Sequence, residues 1–195
     1  MAKTIQQGRR KFLIGATSVV SGVGVAALAT PFLLSMSPSA RALAAGAPVE
    51  VNVAKLAEGQ LLTATWRGKP VWIVHRSEAM LAALPQNNDK LRDPSSEVVE
   101  QQPEYAKNPY RSREPKYIVL IGICTHLGCS PSYRPELSPA DLGADWNGGW
   151  YCPCHGSRFD LAGRVYKNVP AATNLVVPPY YFTNETNLLI GEDAA

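Results

Sequence analysis

The sequence contains few of the residue types that bind metals or form disulfides. It has only four cysteines and three histidines among 195 residues, and all four cysteines, with two of the histidines, lie in residues 124–129 and 152–157. The net charge of +3 and the lack of a basic stripe with interleaved aromatics argue against a nucleic-acid partner. The concentration of soft ligands in two short stretches therefore indicates a metal centre or a disulfide cage.

The composition also argues against a mainly helical fold and against a repeat protein. No internal repeat or low-complexity tract is evident, and the chain has 16 prolines and 15 glycines between short β-branched runs. This pattern is typical of a turn-rich β fold. A chain of 195 residues can hold one compact domain of ordinary size and an appendage.

Each of the two cysteine-rich stretches carries a cysteine and a histidine at close spacing. Cys124 and His126 are two positions apart, and Cys152 and His155 are three positions apart. One tight loop can aim both of its side chains at a single point, so the two loops supply two thiolates and two imidazoles. This donor set suits a tetrahedral zinc ion, which would only hold the loops together. It also suits a Rieske [2Fe–2S] centre, in which two histidines replace two cysteines on one iron.

The motifs C-T-H-L-G-C at 124–129 and C-P-C-H-G-S at 152–157 closely resemble those of a known family. That family is the Rieske iron–sulfur subunit of ubiquinol:cytochrome c reductase, the bc-type respiratory complex. The resemblance implies a Rieske-type [2Fe–2S] cluster as cofactor. It assigns four metal ligands, which are Cys124, His126, Cys152 and His155. It also favours His155 for the contact with quinol and His126 as the second exposed imidazole.

Further positions near the two motifs take roles from the same resemblance. Ser157 matches a serine whose hydroxyl donates to a bridging sulfide, and Leu127 matches the residue that covers the histidine-ligated iron. High-potential members usually carry a tyrosine where this chain has Phe159, so one hydrogen bond to a cysteine sulfur is missing. We expect a midpoint potential below the top of the Rieske range. Residues 168–172 occupy the place of a covering proline loop, with Val169 where glycine is common.

Cys129 and Cys154, one in each loop, can pair with each other and link the two loops. Within the Rieske superfamily, the ferredoxin and oxygenase members are cytosolic and generally lack this extra pair. A disulfide here implies an oxidising compartment, which agrees with an exported head.

The N-terminus reads Gly8-Arg9-Arg10-Lys11-Phe12-Leu13 and continues as an uncharged apolar run to Leu34. The arginine pair resembles a twin-arginine export signal, although two arginines can also flank a membrane helix as positive-inside charges. A helix over 12–34 would be about 35 Å long, enough to cross a hydrocarbon core of about 30 Å. We predict a signal and retained transmembrane anchor over 1–36. Cleavage stays open, because residues 40–44 imitate an A-x-A site.

Residues 37–47 are small, with Pro38 and Gly46, and predict a flexible linker. The resemblance implies a hinge, although a passive tether fits the composition equally well. Residues 48–195 are predicted to form an all-β head, a Rieske-type antiparallel β sandwich with an inserted cluster-binding subdomain at about 122–170. Predicted strands include 49–53, 61–66 and 71–75, expected in one sheet, then 117–121, a hairpin over 158–166, and 175–177, 180–182 and 188–190. Ser77 to Leu84 is predicted as a short helix and 133–148 as irregular.

The predicted function is that of a membrane-anchored Rieske subunit. The resemblance implies that it takes one electron and one proton from ubiquinol and passes the electron to a c-type cytochrome. The site would be shared with cytochrome b in a dimeric complex, so the chain alone should not turn over. The head would lie on the periplasmic side of a bacterial inner membrane, with one transmembrane pass. The alternative enzyme is an arsenite oxidase, whose small Rieske subunit can also carry a twin-arginine signal.

Overall fold

The computed structural model describes residues 2–193. The chain divides into two compact units, with the division between Ala44 and Ala45. Helix α1, Ala2–Ser35, continues through Pro31 and exposes large apolar side chains such as Phe12 and Leu28. By length and composition this N-terminal helical region is able to span a membrane. The prediction of a single apolar N-terminal helix is therefore confirmed.

The predicted linker contains a short helix, α2, at Ala40–Gly46. Ser39 begins it, since its side-chain Oγ accepts a hydrogen bond from the Ala42 N–H at 3.2 Å. The sequence ARALAA is rich in the strongest helix former, whereas the prediction gave more weight to Pro38 and Gly46 as helix breakers. The segment is thus not irregular throughout, and its role as a hinge stays a prediction.

Up to residue 193, where the described part of the head ends, nine strands form three antiparallel sheets of three strands each. The first sheet has the order β1-β9-β8, with β1 at Val49–Asn52, β8 at Tyr180–Phe182 and β9 at Asn187–Ile190. The second has the order β2-β3-β4, at Leu61–Trp66, Lys69–His75 and Tyr117–Ile121. The third has the order β5-β6-β7, at Ser132–Leu137, Asn147–Tyr151 and Arg158–Asp160. The third sheet carries the two cysteine motifs at its ends.

One hydrophobic core joins the three sheets. Strand β4 is buried along its whole length, as expected for the continuous apolar run YIVLI, and it pairs with β3 so that Trp72 faces Leu120. Trp150 and Phe159 from the third sheet and Leu188 from the first belong to the same core. The Rieske-type, mostly β fold predicted for the head is confirmed.

Several local predictions were wrong. Strand β1 pairs with β9, with Val49 opposite Ile190, and is not in one sheet with β2 and β3. The region 133–148 is irregular only after Leu137, because β5 pairs with β6 and places Pro135 at a register shift, where a residue without an N–H is tolerated. Residues 175–177 form no strand, although Ile121 N–H donates to Val176 O at 2.8 Å.

The connections outside the sheets are short helices and loops. Helix α3, Glu78–Ala83, is capped by Ser77, whose side chain accepts from Met80 N–H, so this predicted helix is present. Three 3-10 helices follow along the polar segment, at Leu84–Lys90, Val99–Gln101 and Glu104–Ala106. The predicted hairpin over 158–166 forms in part: β7 is followed by an isolated antiparallel bridge between Phe159 and Val165.

Candidate metal centre

The two cysteine motifs fold into loops with the same backbone hydrogen bonds. In the first, Cys124 N–H donates to Cys129 O at 2.7 Å, and Gly128 N–H donates to Cys124 O at 3.1 Å. In the second, Cys152 N–H donates to Ser157 O at 2.8 Å, and Gly156 N–H donates to Cys152 O at 2.9 Å. The glycine in each loop has a positive φ, 83° and 76°, which glycine adopts without steric cost.

A pair of stacked tryptophans lies where the two loops begin. Trp72 of β3 and Trp150 of β6 have ring centroids 5.9 Å apart and nearly parallel planes. A Cβ atom on Gly122 would lie 2.8 Å from Nε1 of Trp72, so only glycine fits just before the first loop. Trp150 is two residues before Cys152. The packing of these indole rings therefore fixes the starting points of both loops relative to each other.

The two motif histidines lie side by side at the surface. The rings of His126 and His155 have centroids 4.7 Å apart and perpendicular planes. His126 is half-buried and His155 is exposed. Two imidazoles at this distance can reach one metal ion from two directions.

The two remaining free thiols, Cys124 and Cys152, are buried at 3% and 1% exposure. Burial raises the pKa of the Cys124 thiol, because the thiolate loses hydration, and the neighbouring Cys152 thiol raises it further. The His126 N–H and the Ser157 hydroxyl act in the opposite direction, since they stabilise the thiolate. The four donors are thus separated by type, with the thiols inside and the imidazoles at the surface.

Cys129 and Cys154 form a disulfide between the two loops. The sulfurs of Cys129, Cys152 and Cys154 all lie within 4.8 Å of one another. Two of these three are already bonded to each other, so only Cys152 of this group offers a free thiolate. No imidazole nitrogen of residues 7–193 joins the group. Two buried thiols and two adjacent surface imidazoles suit a Rieske [2Fe–2S] centre, in which two histidines replace two cysteines on one iron.

A third segment, residues 168–173, lies against both loops. Ala171 N–H donates to Ser157 Oγ at 3.0 Å, and Thr125 Oγ1 donates to Thr173 O at 2.7 Å. Leu127, at the tip of the first loop, is 71% exposed. The hydrogen bond from Thr125 to Thr173 was not predicted, because no sequence pattern distinguishes a threonine that bonds a distant segment from any other threonine between two ligands. Phe159 is fully buried, as an aromatic next to a buried centre should be.

The donor set fits a [2Fe–2S] cluster of the Rieske type. Two buried thiols, two adjacent surface imidazoles and a linking disulfide, carried by two matching loops on a small antiparallel sheet, define a Rieske iron–sulfur protein. Residues 94–180 match the family model described as the Rieske [2Fe-2S] domain. Residues 2–39 match the model described as the ubiquitinol-cytochrome C reductase Fe-S subunit TAT signal.

Full-length relatives narrow this class to one family. The ubiquinol-cytochrome c reductase iron-sulfur subunit of Allochromatium vinosum is 63% identical over 98% of this chain and 92% of its own length. The subunit of the same name from Rhodospirillum rubrum is 43% identical over 95% of this chain and 93% of its own length. The chain belongs to the family of Rieske iron–sulfur subunits of ubiquinol-cytochrome c reductase.

A solved structure agrees on the fold. A chain of a hyperthermophilic respiratory Complex III aligns over 90% of this chain and 96% of its own length, with a TM-score of 0.50 and 24% sequence identity. The predictions of family, fold class, cofactor and membership of an oxidoreductase complex are confirmed, and the arsenite oxidase alternative is not favoured.

Proposed function

We propose that this chain oxidises ubiquinol through a [2Fe–2S] cluster bound by Cys124, Cys152, His126 and His155. The single observation that carries the proposal is the perpendicular pair of surface imidazoles, 4.7 Å apart, next to two buried thiols. Cys124 and Cys152 would hold the inner iron and the two histidines the outer one. The Ser157 hydroxyl would donate to a bridging sulfide, and Leu127 would cover the outer iron.

The mixed ligand set accounts for the expected redox behaviour. Two ferric ions, two sulfides and two thiolates sum to zero charge, whereas four thiolates would leave two negative charges. A neutral centre accepts an electron more readily, and Rieske potentials are about −150 to +300 mV against about −400 mV for plant-type clusters. The far ring nitrogen of each histidine ligand would remain off the metal, and when that nitrogen carries no proton it could accept one as the electron arrives.

His155 is the better candidate for the quinol contact. Its imidazole is exposed, whereas His126 is half-buried, so a quinol hydroxyl reaches His155 with less rearrangement. His155 would accept a hydrogen bond from the hydroxyl and then its proton, and His126 would be the second imidazole at this surface. The exposed apolar side chain of Leu127 would exclude water from the contact.

The remaining steps need partner subunits. Cytochrome b would complete the quinol site, and a c-type cytochrome would receive the electron, within a dimeric complex. Helix α1 would anchor the chain in a bacterial inner membrane, after export through the twin-arginine route directed by Arg9 and Arg10. The disulfide favours a periplasmic head, because such bonds persist in oxidising compartments. Residues 37–47 would act as the hinge that lets the head move between its two partners.

Spectroscopy with one matched substitution tests the ligand assignment. The purified full chain should contain iron and acid-labile sulfide, give a rhombic electron-spin signal on reduction, and lower its midpoint potential as the pH rises from neutral to alkaline. His155→Gln should abolish the signal. His75→Gln should keep it, because His75 instead lies against Tyr117 and bonds Leu56 O. A colourless zinc protein, or a normal signal in His155→Gln, would overturn the proposal.

A further inference from the structure

Three fully buried arginines surround the turn that follows the second cysteine loop. Arg76, Arg111 and Arg164 are 1%, 0% and 2% exposed. Within residues 7–193 the one acidic side chain buried to the same degree is Asp160, which is 0% exposed and pairs with Arg164 at 2.7 Å. Three guanidinium groups and one carboxylate leave two uncompensated positive charges inside the head.

All three guanidinium groups bind the same short turn, residues 160–164. Arg76 donates to Leu161 O at 3.2 Å, and Arg111 donates to Ala162 O at 3.1 Å and Gly163 O at 3.3 Å. Arg164 donates to the carboxylate of Asp160. Three consecutive carbonyl groups and the adjacent carboxylate therefore each accept a hydrogen bond from a buried cation.

This turn is directly connected to the proposed cluster ligands. Asp160 is three residues after Ser157, and Phe159 between them belongs to the same core as Cys124 and Cys152. Arg111 also donates to Leu175 O at 2.8 Å, just after the segment that covers Ser157. The charges thus lie around a turn that borders the core containing both thiols, and away from bulk salt, where screening is weak.

The hydrogen-bond acceptors of Arg76 and Arg111 are neutral groups, so none of them cancels the charge of the buried guanidinium that it binds. Burial lowers the pKa of Arg76 and of Arg111 to about 10, which still leaves both charged at neutral pH. A persistent positive charge in a low-dielectric interior favours a nearby centre that becomes more negative on reduction.

We infer that Arg76 and Arg111 raise the midpoint potential of the cluster through their buried charge, in a chain whose Phe159 supplies no hydrogen bond to a ligand sulfur. The inference rests on the proposed ligand set. It assigns a redox function to two side chains that lie outside both cysteine motifs and touch none of the proposed ligands.

Paired substitutions separate charge from structure. In the full chain, Arg111→Gln removes the charge, whereas Arg111→Lys keeps it and loses most of the hydrogen bonds. The midpoint potential from a titration followed by electron spin resonance should fall in Arg111→Gln and stay near the parent value in Arg111→Lys. Arg76→Gln and Arg76→Lys should repeat the pattern and replace the first pair if Arg111→Gln does not fold. Lys55→Gln, which removes an exposed charge, is the control and should change nothing.

The outcomes distinguish this inference from the ligand assignment. If the parent chain lacks a rhombic signal, the ligand assignment fails. If the signal is normal but the Gln and Lys variants shift the midpoint equally, the arginines act through structure and the inference is wrong. An unchanged midpoint in both Gln variants, with the signal intact, also overturns it.

Discussion

Ser157 Oγ accepts a hydrogen bond from the N–H of Ala171 at 3.0 Å. The covering segment is residues 168–173, which contain Ala171. Because Ser157 Oγ acts as an acceptor towards this segment, its hydroxyl proton is free to be donated in another direction. A hydrogen bond from the Ser157 side chain acts to lower the pKa of the Cys124 thiol, against the larger effect of burial, which raises it. One hydroxyl therefore links the covering segment to the centre it covers.

Ser157→Ala should lower the midpoint potential and loosen the covering segment. The substitution removes a donor to the centre and leaves the buried Ala171 N–H without its acceptor, at a cost of about 1–3 kcal/mol. Voltammetry and urea denaturation measure the two effects. Ser130→Ala, at an exposed serine in the same region, is the matched control and should alter neither. An unchanged midpoint in Ser157→Ala would remove the serine from the redox argument.

Phe159→Tyr should raise the midpoint potential. Phe159 is fully buried within the core that includes both free cysteines, so an added hydroxyl must find a partner there, and a hydrogen bond to a ligand sulfur would raise the potential. Phe182→Tyr adds the same hydroxyl on β8, at a half-buried position, and should not shift the midpoint. A tyrosine variant with the parent midpoint but lower stability would mean that the hydroxyl stays unpaired.

Cys129→Ser should lower both cluster retention and midpoint potential. The disulfide links the two loops that carry His126 and His155, and its loss should cost about 2–4 kcal/mol. Iron content after mild heating and the midpoint of the remaining cluster are the measurements. Cys154→Ser should match it, since either change breaks the same bond. A variant with parent iron retention and midpoint would show that the loops hold together without the bond.

The grouping of the ligand candidates is easier to read from the sequence than the pairing of the strands around them. The sequence points to four candidate ligands because rare ligand types recur there at short spacing, namely Cys124, His126, Cys152 and His155. Each cysteine and its histidine are two or three positions apart, so they necessarily lie in the same loop. The pairing of β1 with β9 joins residues more than a hundred positions apart, so no local pattern reveals it. The burial of Arg76 and Arg111 was equally hidden, because arginine side chains are mostly exposed in proteins. Of these buried charges, only Asp160 and Arg164 form a pair between residues that are close in the sequence, four positions apart.

Asp160→Asn should destabilise the head by about 3–5 kcal/mol, because it leaves the buried Arg164 without its counter-charge. Asp160 Oδ1 also accepts from the N–H groups of Ala162 and Arg164, at 3.0 and 2.8 Å, and asparagine can keep these bonds, so the loss reports mainly on charge. Asp141→Asn is the matched control, since its pair with Arg134 lies at the surface and its loss should change the stability far less. Urea denaturation of both variants gives the comparison. In the Asp160→Asn chains that still fold, a buried negative charge is missing and the net buried charge is more positive. The midpoint potential of the cluster should therefore rise. Equal destabilisation of the two variants would show that burial adds nothing to the Asp160 and Arg164 pair.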